Sequence, residues 1–356
     1  MLDIKLTKDN FIKKKSEVFN LNKQQFETIF KLLKENWPYI RISEIHEIDR
    51  KKNILDSNSQ NFFLKDHNYK FYLLKKISFS ENQYNLYEQF KIQDWCSENI
   101  FSVPKIFKNN KIQIATKSMK SIWVLMEYIE GEYFSGSNNQ IQIAGSLVGQ
   151  LHQALRDLPK IFYPTKTQKN FFTNEEKNIY KNLLDSKNNW ENFFDKVFCI
   201  QLIKFEHIID KIWKRINEDK RILNFPYQVV HYDLHPLNLI FSNNRNTIID
   251  FGSIRFATIE QALGFNLIKL SKRVLLNRSL KNSTIILNDV KKNWLIGLKN
   301  SLNYEFNFDE LILFGQAEIF RRFLSMTNKS FMNEKSIFNG PLTHLESLIL
   351  SEELDN

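Results

Sequence analysis

The chain has 356 residues, 42% of them hydrophobic, and carries 50 Lys and Arg against 40 Asp and Glu, a net charge of +10. That length can enclose a substantial core in at least two lobes, which argues against a disordered or fibrous protein. Only two cysteines occur, Cys96 and Cys199, no uninterrupted apolar run is long enough to span a bilayer, and the N-terminus lacks a signal-like apolar segment; a soluble protein of the reducing cytoplasm is expected.

Phe26, Ile29, Phe30 and Leu33 recur at helical spacing and predict a leading helix over 22–36 that ends near Trp37-Pro38. Strands are predicted over Ile54–Leu64, Tyr69–Ile77 and Ile112–Thr116, the last paired with Ile122–Tyr128 across Lys117–Ser121. A helix over Gln83–Glu98 lies among them, and the β-rich region is expected to end at Glu130-Gly131 and the polar stretch Ser135–Asn139. Beyond it, Ala144, Leu147, Val148, Leu151 and Leu155 mark one helix face, where Gly145 and Gly149 let another element approach closely and His152 reads as a core histidine. Leu202, Phe205, Ile209, Ile212, Trp213 and Ile216 form a second stripe, with further helices near 174–184, 258–275, 286–301, 308–326 and 343–353. Trp190, Phe193 and Phe194 either pack or line a pocket for a cationic or sugar-like molecule. These elements divide the chain into a leading segment 1–40, a β-rich lobe 41–130 with one main helix, and a larger helical lobe 131–356, an α+β fold in two lobes.

The chemistry is concentrated in Val229-Val230-His231-Tyr232-Asp233-Leu234-His235-Pro236-Leu237-Asn238 and in Ile248-Ile249-Asp250-Phe251-Gly252. Each carboxylate follows a short apolar run that reads as a buried strand, and Asn238 stands five positions after Asp233 and twelve before Asp250. Two carboxylates and an amide oxygen brought into one cleft suit phosphoryl transfer, in which the protein mainly positions reactants and a divalent cation neutralises phosphate oxygens. In such a site Asp250 and Asn238 bind Mg²⁺, and Asp233 accepts the proton of the attacking hydroxyl.

The pattern His-x-Asp-x-x-x-x-Asn followed by Asp-Phe-Gly resembles the aminoglycoside phosphotransferase and choline kinase group of the protein-kinase-like superfamily, with His235-Pro236 where protein kinases carry Lys-Pro. Nothing like the Ala-Pro-Glu element of protein kinases follows Gly252, which favours a small-molecule acceptor. Ile122–Gly131 resembles the hinge strand between the lobes, so Glu127 and Tyr128 are expected beside the nucleotide, and Leu147–His152 resembles the long helix that follows. The resemblance implies a bilobal protein-kinase-like fold, ATP and Mg²⁺ as cofactors, and a strand Lys that grips phosphates while held by a helix Glu. Leu73-Leu74-Lys75-Lys76 supplies that Lys; alternation lets only one of the two face the cleft, Lys75 by resemblance, with Glu88 as its partner. The resemblance also gives His231 a bracing role in the loop, whereas His235 either approaches the γ-phosphate or fills the loop.

One departure is plain. No Gly precedes Gly131, so the loop covering the phosphates carries Asp56-Ser57-Asn58-Ser59, whose small polar side chains are left to contact phosphate. Three functions follow from these residues: a kinase for a small metabolite such as a sugar, amino alcohol, amino acid or aminoglycoside-like compound; a non-catalytic nucleotide-binding pseudokinase; or a metal-dependent hydrolase using His231, Asp233 and His235 at alternate strand positions. The basic residues are spread along the chain, with a tight run at Lys13-Lys14-Lys15, so they read as a solvated surface that helps attract ATP or an anionic substrate. A nucleic-acid partner is not expected.

Overall fold

The computed structural model describes residues 17–49, 59–78, 83–118, 120–164, 174–223, 225–278, 282–332 and 340–355. Its N-terminal part is an antiparallel sheet in the order β1-β2-β3-β4-β6-β5, formed by Glu17–Asn20, Ile42–Asp49, Ser59–Asp66, Phe71–Ser78, Ser121–Glu127 and Thr116–Ser118 (β1, β2, β3, β4, β6 and β5). Helix α1 (Lys23–Asn36) starts in a capping box in which Asn22 and Gln25 each accept from the other's backbone N–H. It lays Ile29, Leu32 and Leu33 on one sheet face, against Phe62, Leu64, Tyr72 and Leu74. Period-two alternation sends Phe63, Leu73, Lys75 and Ile77 to the other face, which roofs a cavity. Helix α2 (Gln83–Asn99) crosses beneath that roof.

The C-terminal part is helical: α3 (Asn138–Arg156), α4 (Asn174–Asp185), α5 (Lys196–Lys204), α6 (Glu206–Glu218), α7 (Ile259–Arg278), α8 (Ser283–Lys299), α9 (Phe308–Phe331) and α10 (Gly340–Asp355). Gly145 and Gly149 do mark a close approach, and its partner is α8: a Cβ at Gly145 would strike the Trp294 carbonyl, and one at Gly149 would meet Leu298 O at 3.1 Å. Gly264 and Gly315 play the same part between α7 and α9, where each lies against the other's backbone. Two small sheets rest on this bundle: β8 (Tyr227–His231) with β11 (Ile254–Thr258), and β9 (Leu239–Phe241) between β7 (Glu132–Tyr133) and β10 (Thr247–Ile248). They carry the two motif loops.

Several expectations are corrected. Residues 112–115 form no strand: Ile112 is 82% exposed with φ 61°, because Asn109 Oδ1 accepts from the N–H groups of Lys111 and Gln113 and closes a turn there. β5 therefore starts at Thr116. The first residues of the expected strand from Ile54 lie outside the described residues, and β3 begins at Ser59. The stripe from Leu202 to Ile216 is two helices, broken at Phe205. Trp190 is buried, with its Nε1 donating to Leu183 O at 2.7 Å, while Phe193 and Phe194 join an aromatic cluster with Phe198 and Phe331; packing accounts for all three. His152 is fully buried and bonded to Val148 O at 2.9 Å; burial pushes its pKa down to about 4, so it is a neutral core histidine. Among the described residues no helix is long and apolar enough to cross a membrane.

Candidate functional site

β8 is an apolar strand because Val229, Val230 and His231 are buried against the helical core, and its pairing with β11 ends at His231 opposite Ile254. The chain turns immediately afterwards. Tyr232 N donates to Ser253 O at 3.0 Å, His235 N to Asp233 O at 2.9 Å, and Pro236 opens a short 3₁₀ turn that ends at Asn238. His235 caps this turn, its Nδ1 accepting from Leu237 N at 3.2 Å. Asn238 then fixes the loop, donating from Nδ2 to Asp233 O at 2.7 Å while its backbone carbonyl accepts from Ile249 N at 2.9 Å. Those two bonds join the Asp233 loop to the strand end that presents Asp250. Since Nδ2 is used, Oδ1 is the Asn238 atom left to face a cation.

Asp250 has φ 64° and ψ 68°, left-handed values that are uncommon outside glycine. This conformation turns its carboxylate into the cavity, where Oδ1 lies 3.4 Å from Lys75 Nζ. The following Phe251 is buried and packs edge-on against the His231 ring at 5.3 Å. Burial holds His231 neutral, as its depressed pKa shows, against the opposite pull of the Asp233 and Asp250 charges. His231 therefore braces both loops from below. The Gly252 carbonyl accepts from Gln89 Nε2 at 2.8 Å and ties α2 to the Asp250 loop.

The choice between the two lysines is geometric. Lys75 lies on the cavity face beside Asn61, its cross-strand neighbour, whereas Lys76 lies on the outer face, bonded to Gln60 Oε1 at 2.9 Å and over the Trp123 ring. Glu88 is on α2, whose Gln89, Phe90 and Gln93 line the cavity. Glu127 and Tyr128 also line it. The Glu127 carboxylate binds Arg245 at 2.7 Å and accepts from Lys105 N at 3.2 Å, so it locks the hinge to the C-terminal part, while Tyr128 packs edge-on against Phe63 at 4.9 Å. Ser59 opens β3; Ser57 and Asn58 lie outside the described residues. The cavity measures about 970 Å³ and is walled by apolar Leu73, Met126, Leu237, Ile240 and Ile249, a size and lining suited to a nucleotide-sized ligand. Asn61 and His46 also line it from β3 and β2, two polar side chains that no motif singled out.

Asp233 has a partner the sequence did not suggest. Arg322, from α9, donates from Nη1 to Asp233 Oδ1 at 2.6 Å and from Nη2 to Tyr232 O at 2.7 Å. Behind it, fully buried Glu318 receives Arg322 Nε at 2.5 Å, Arg321 Nε at 2.9 Å, the Tyr232 hydroxyl, and Gln261 Nε2 at 3.2 Å. Burial acts to raise the Asp233 pKa, but the Arg322 and His235 charges outweigh it and hold the carboxyl well below the usual carboxylate range. Asp233 Oδ2 lies 3.7 Å from His235 Nε2. The alternate-position metal triad is not formed: β8 stops at His231, so the next residues turn instead of alternating, and no cluster of three His, Cys, Asp or Glu able to hold a metal occurs among the described residues. A carboxylate and an amide oxygen, Asp250 and Asn238, do suit a hard divalent cation that takes its remaining ligands from phosphate and water.

Residues 52–264 match the phosphotransferase enzyme family, APH. No curated protein matches the chain in sequence. Among solved structures, the chain is similar to a spectinomycin phosphotransferase in complex with ADP and spectinomycin (14% identity, 93% of this chain and 94% of that one, TM-score 0.63). It is also similar to an amicoumacin kinase in complex with AMP-PNP and Ca²⁺ (11% identity, 94% and 93%, TM-score 0.61) and to the Plasmodium vivax ethanolamine kinase (14% identity, 94% and 92%, TM-score 0.54). These likenesses show a bilobal α+β fold of the protein-kinase-like kind. With more than half of its length inside the family match, both motif loops included, this chain belongs to the phosphotransferase enzyme family.

Proposed function

We propose that the protein is an ATP- and Mg²⁺-dependent kinase that moves the γ-phosphoryl group to a hydroxyl of a small metabolite. The observation that carries this reading is the join between the loops: Asn238 bonds Asp233 O with its side chain and Ile249 N with its carbonyl, so base, amide and metal carboxylate share one frame. Asp250 and Asn238 would hold Mg²⁺, which neutralises phosphate charge when bound. Lys75 would hold the α- and β-phosphates, and the apolar cavity beside Tyr128 the base. With Asp233 Oδ1 held by Arg322, Oδ2 is the oxygen left to receive the acceptor proton. The acceptor oxygen then bonds to Pγ while the bond from Pγ to the β–γ bridging oxygen breaks, giving a phosphate ester and ADP.

A pseudokinase remains the alternative in class, motivated by the glycine-free Asp56–Ser59 loop. An assay of labelled phosphate from ATP onto a panel of sugars, amino alcohols, hydroxy acids and aminoglycosides separates the two. Transfer to one class supports the kinase; thermal stabilisation by ATP and Mg²⁺ with no transfer to any acceptor supports a binding module.

The two lysines give a second expectation. Lys75→Met should lower kcat/KM for ATP by roughly 10²–10³-fold, the scale of losing one preorganised charge contact. Lys76→Met, on the outer face, should change it less than about threefold, and steady-state kinetics with varied ATP checks both. Equal losses in the two variants would put the phosphate grip elsewhere.

A further inference from the structure

The acceptor has to reach Asp233 Oδ2, and the surroundings of that carboxylate are cationic. Arg322 lies 2.6 Å from its other oxygen. The same guanidinium sits 4.1 Å from the centroid of Phe265 on α7, and Lys269 Nζ, one turn further along α7, sits 5.7 Å from that centroid. Both cations thus contact one ring. Lys269 donates to Ser347 Oγ at 3.1 Å and touches His344 Nδ1 at 3.4 Å, while His235 Nε2 lies 3.7 Å from Asp233 Oδ2. Asp233, His235, Arg322 and His344 are each partly exposed, while Lys269 is buried at 9% exposure. The acid that balances the arginines, Glu318, is fully buried behind them.

The electrostatics agree with the geometry. Burial, followed by the charges of Lys269, Arg322, Lys272 and Arg321, drives the His344 pKa well down, and burial together with Arg322 and Lys269 depresses that of His235 against the pull of Asp233. The charges of Arg322 and Lys269 thus reach both His235 and His344. A protonated amine brought to this face would meet two fixed cations at close range. An oxyanion would meet a planar guanidinium and an ammonium, the donors that bind carboxylate and phosphate.

Resting on the kinase reading above, we infer that the phosphorylated metabolite carries an oxyanion, a carboxylate or a phosphate monoester, near the reacting hydroxyl, and that Arg322 and Lys269 receive it. Transfer to such a molecule makes the O–P bond and breaks the β–γ linkage as before, with the hydroxyl proton leaving to Asp233. The anionic group takes no part in bond making. It fixes which hydroxyl faces Pγ.

The test is calorimetric titration of the full chain with D-glycerate, glycerol 3-phosphate, glycerol and ethanolamine, which differ chiefly in charge. At least one of the two anions should bind ten or more times tighter than glycerol, and ethanolamine no tighter than glycerol. The tighter anion identifies the carboxylate or the phosphate arm. Lys269→Gln, which keeps a donor for Ser347, should shrink the anion preference at least threefold, and Lys269→Arg should restore it. Ethanolamine binding as tightly as the anions, or no binding by either anion, overturns the inference. A parallel assay with labelled ATP keeps the two readings apart: anion binding without transfer to any acceptor would sink the kinase and leave the anion site standing. Transfer confined to glycerol and ethanolamine would do the reverse.

Discussion

Asp233→Asn is expected to lower kcat by about 10²–10⁴-fold, the usual contribution of a positioned proton acceptor, while leaving ATP and Mg²⁺ affinity within about threefold, because the substitution adds no bulk and touches neither Asp250 nor Lys75. The substitution keeps an oxygen for Arg322 but removes the charge. Stopped-time kinetics and equilibrium nucleotide binding on one protein preparation check the two halves. The pH dependence has a definite sign. The folded-state pKa of Asp233 lies below its ordinary value, since Arg322 and His235 outweigh the effect of burial. The carboxylate therefore stays ionised at neutral pH, and its ion pair contributes stability that is fully present above the unfolded carboxyl pKa of about 4 and is lost as pH falls through the folded value. Any acid limb of the rate profile near neutrality must then come from another group, and it should persist unchanged in the residual activity of Asp233→Asn.

Glu318→Gln should destabilise the fold by about 3–5 kcal/mol, the usual result of removing one partner from a buried ion pair. Its carboxylate is the shared acceptor for Arg321, Arg322, Tyr232 and Gln261 at 0% exposure. A neutral amide removes the counter-charge of Arg321 and leaves Arg322 only Asp233, and its NH₂ meets donors where an oxygen stood. Part of the loss should appear as function, because Arg322 holds Asp233 and the Tyr232 carbonyl in place. Scanning calorimetry should show a lower unfolding temperature than Arg321→Gln, which leaves Arg322 bonded to Glu318. Equal unfolding temperatures for Glu318→Gln and wild type would mean that the network does not stabilise this lobe.

Much of the site is legible in the sequence because its chemistry depends on local spacing. Asp233, Asn238 and Asp250 sit on one continuous run in which strand, turn and strand are short, so residue number nearly determines position. The lysine ambiguity was of the kind alternation can pose but not resolve, since Lys75 and Lys76 differ only in which face β4 offers the cavity, and that depends on where α1 packs. Glu318, Arg321 and Arg322 were not legible for a different reason. They lie about eighty-five to ninety positions beyond Asp233 on a helix whose apolar stripe predicts burial alone; the only hint is a charged Glu-x-x-Arg-Arg inside that stripe. Arginine reach, not periodicity, brings them to the loop. Strand boundaries failed where side chains closed turns on their own backbone, as Asn109 does before Ile112.

In the proposed function Asp250 and Asn238 bind a divalent cation carrying a nucleoside triphosphate beside Asp233. The most direct measurement is electron paramagnetic resonance of Mn²⁺, used in place of Mg²⁺, with AMP-PNP and the wild-type, Asp250→Asn or Asp233→Asn protein. Protein-bound Mn²⁺ that requires the nucleotide, is lost in Asp250→Asn and survives in Asp233→Asn is the predicted result. Mn²⁺ bound equally by wild type and Asp250→Asn would contradict it.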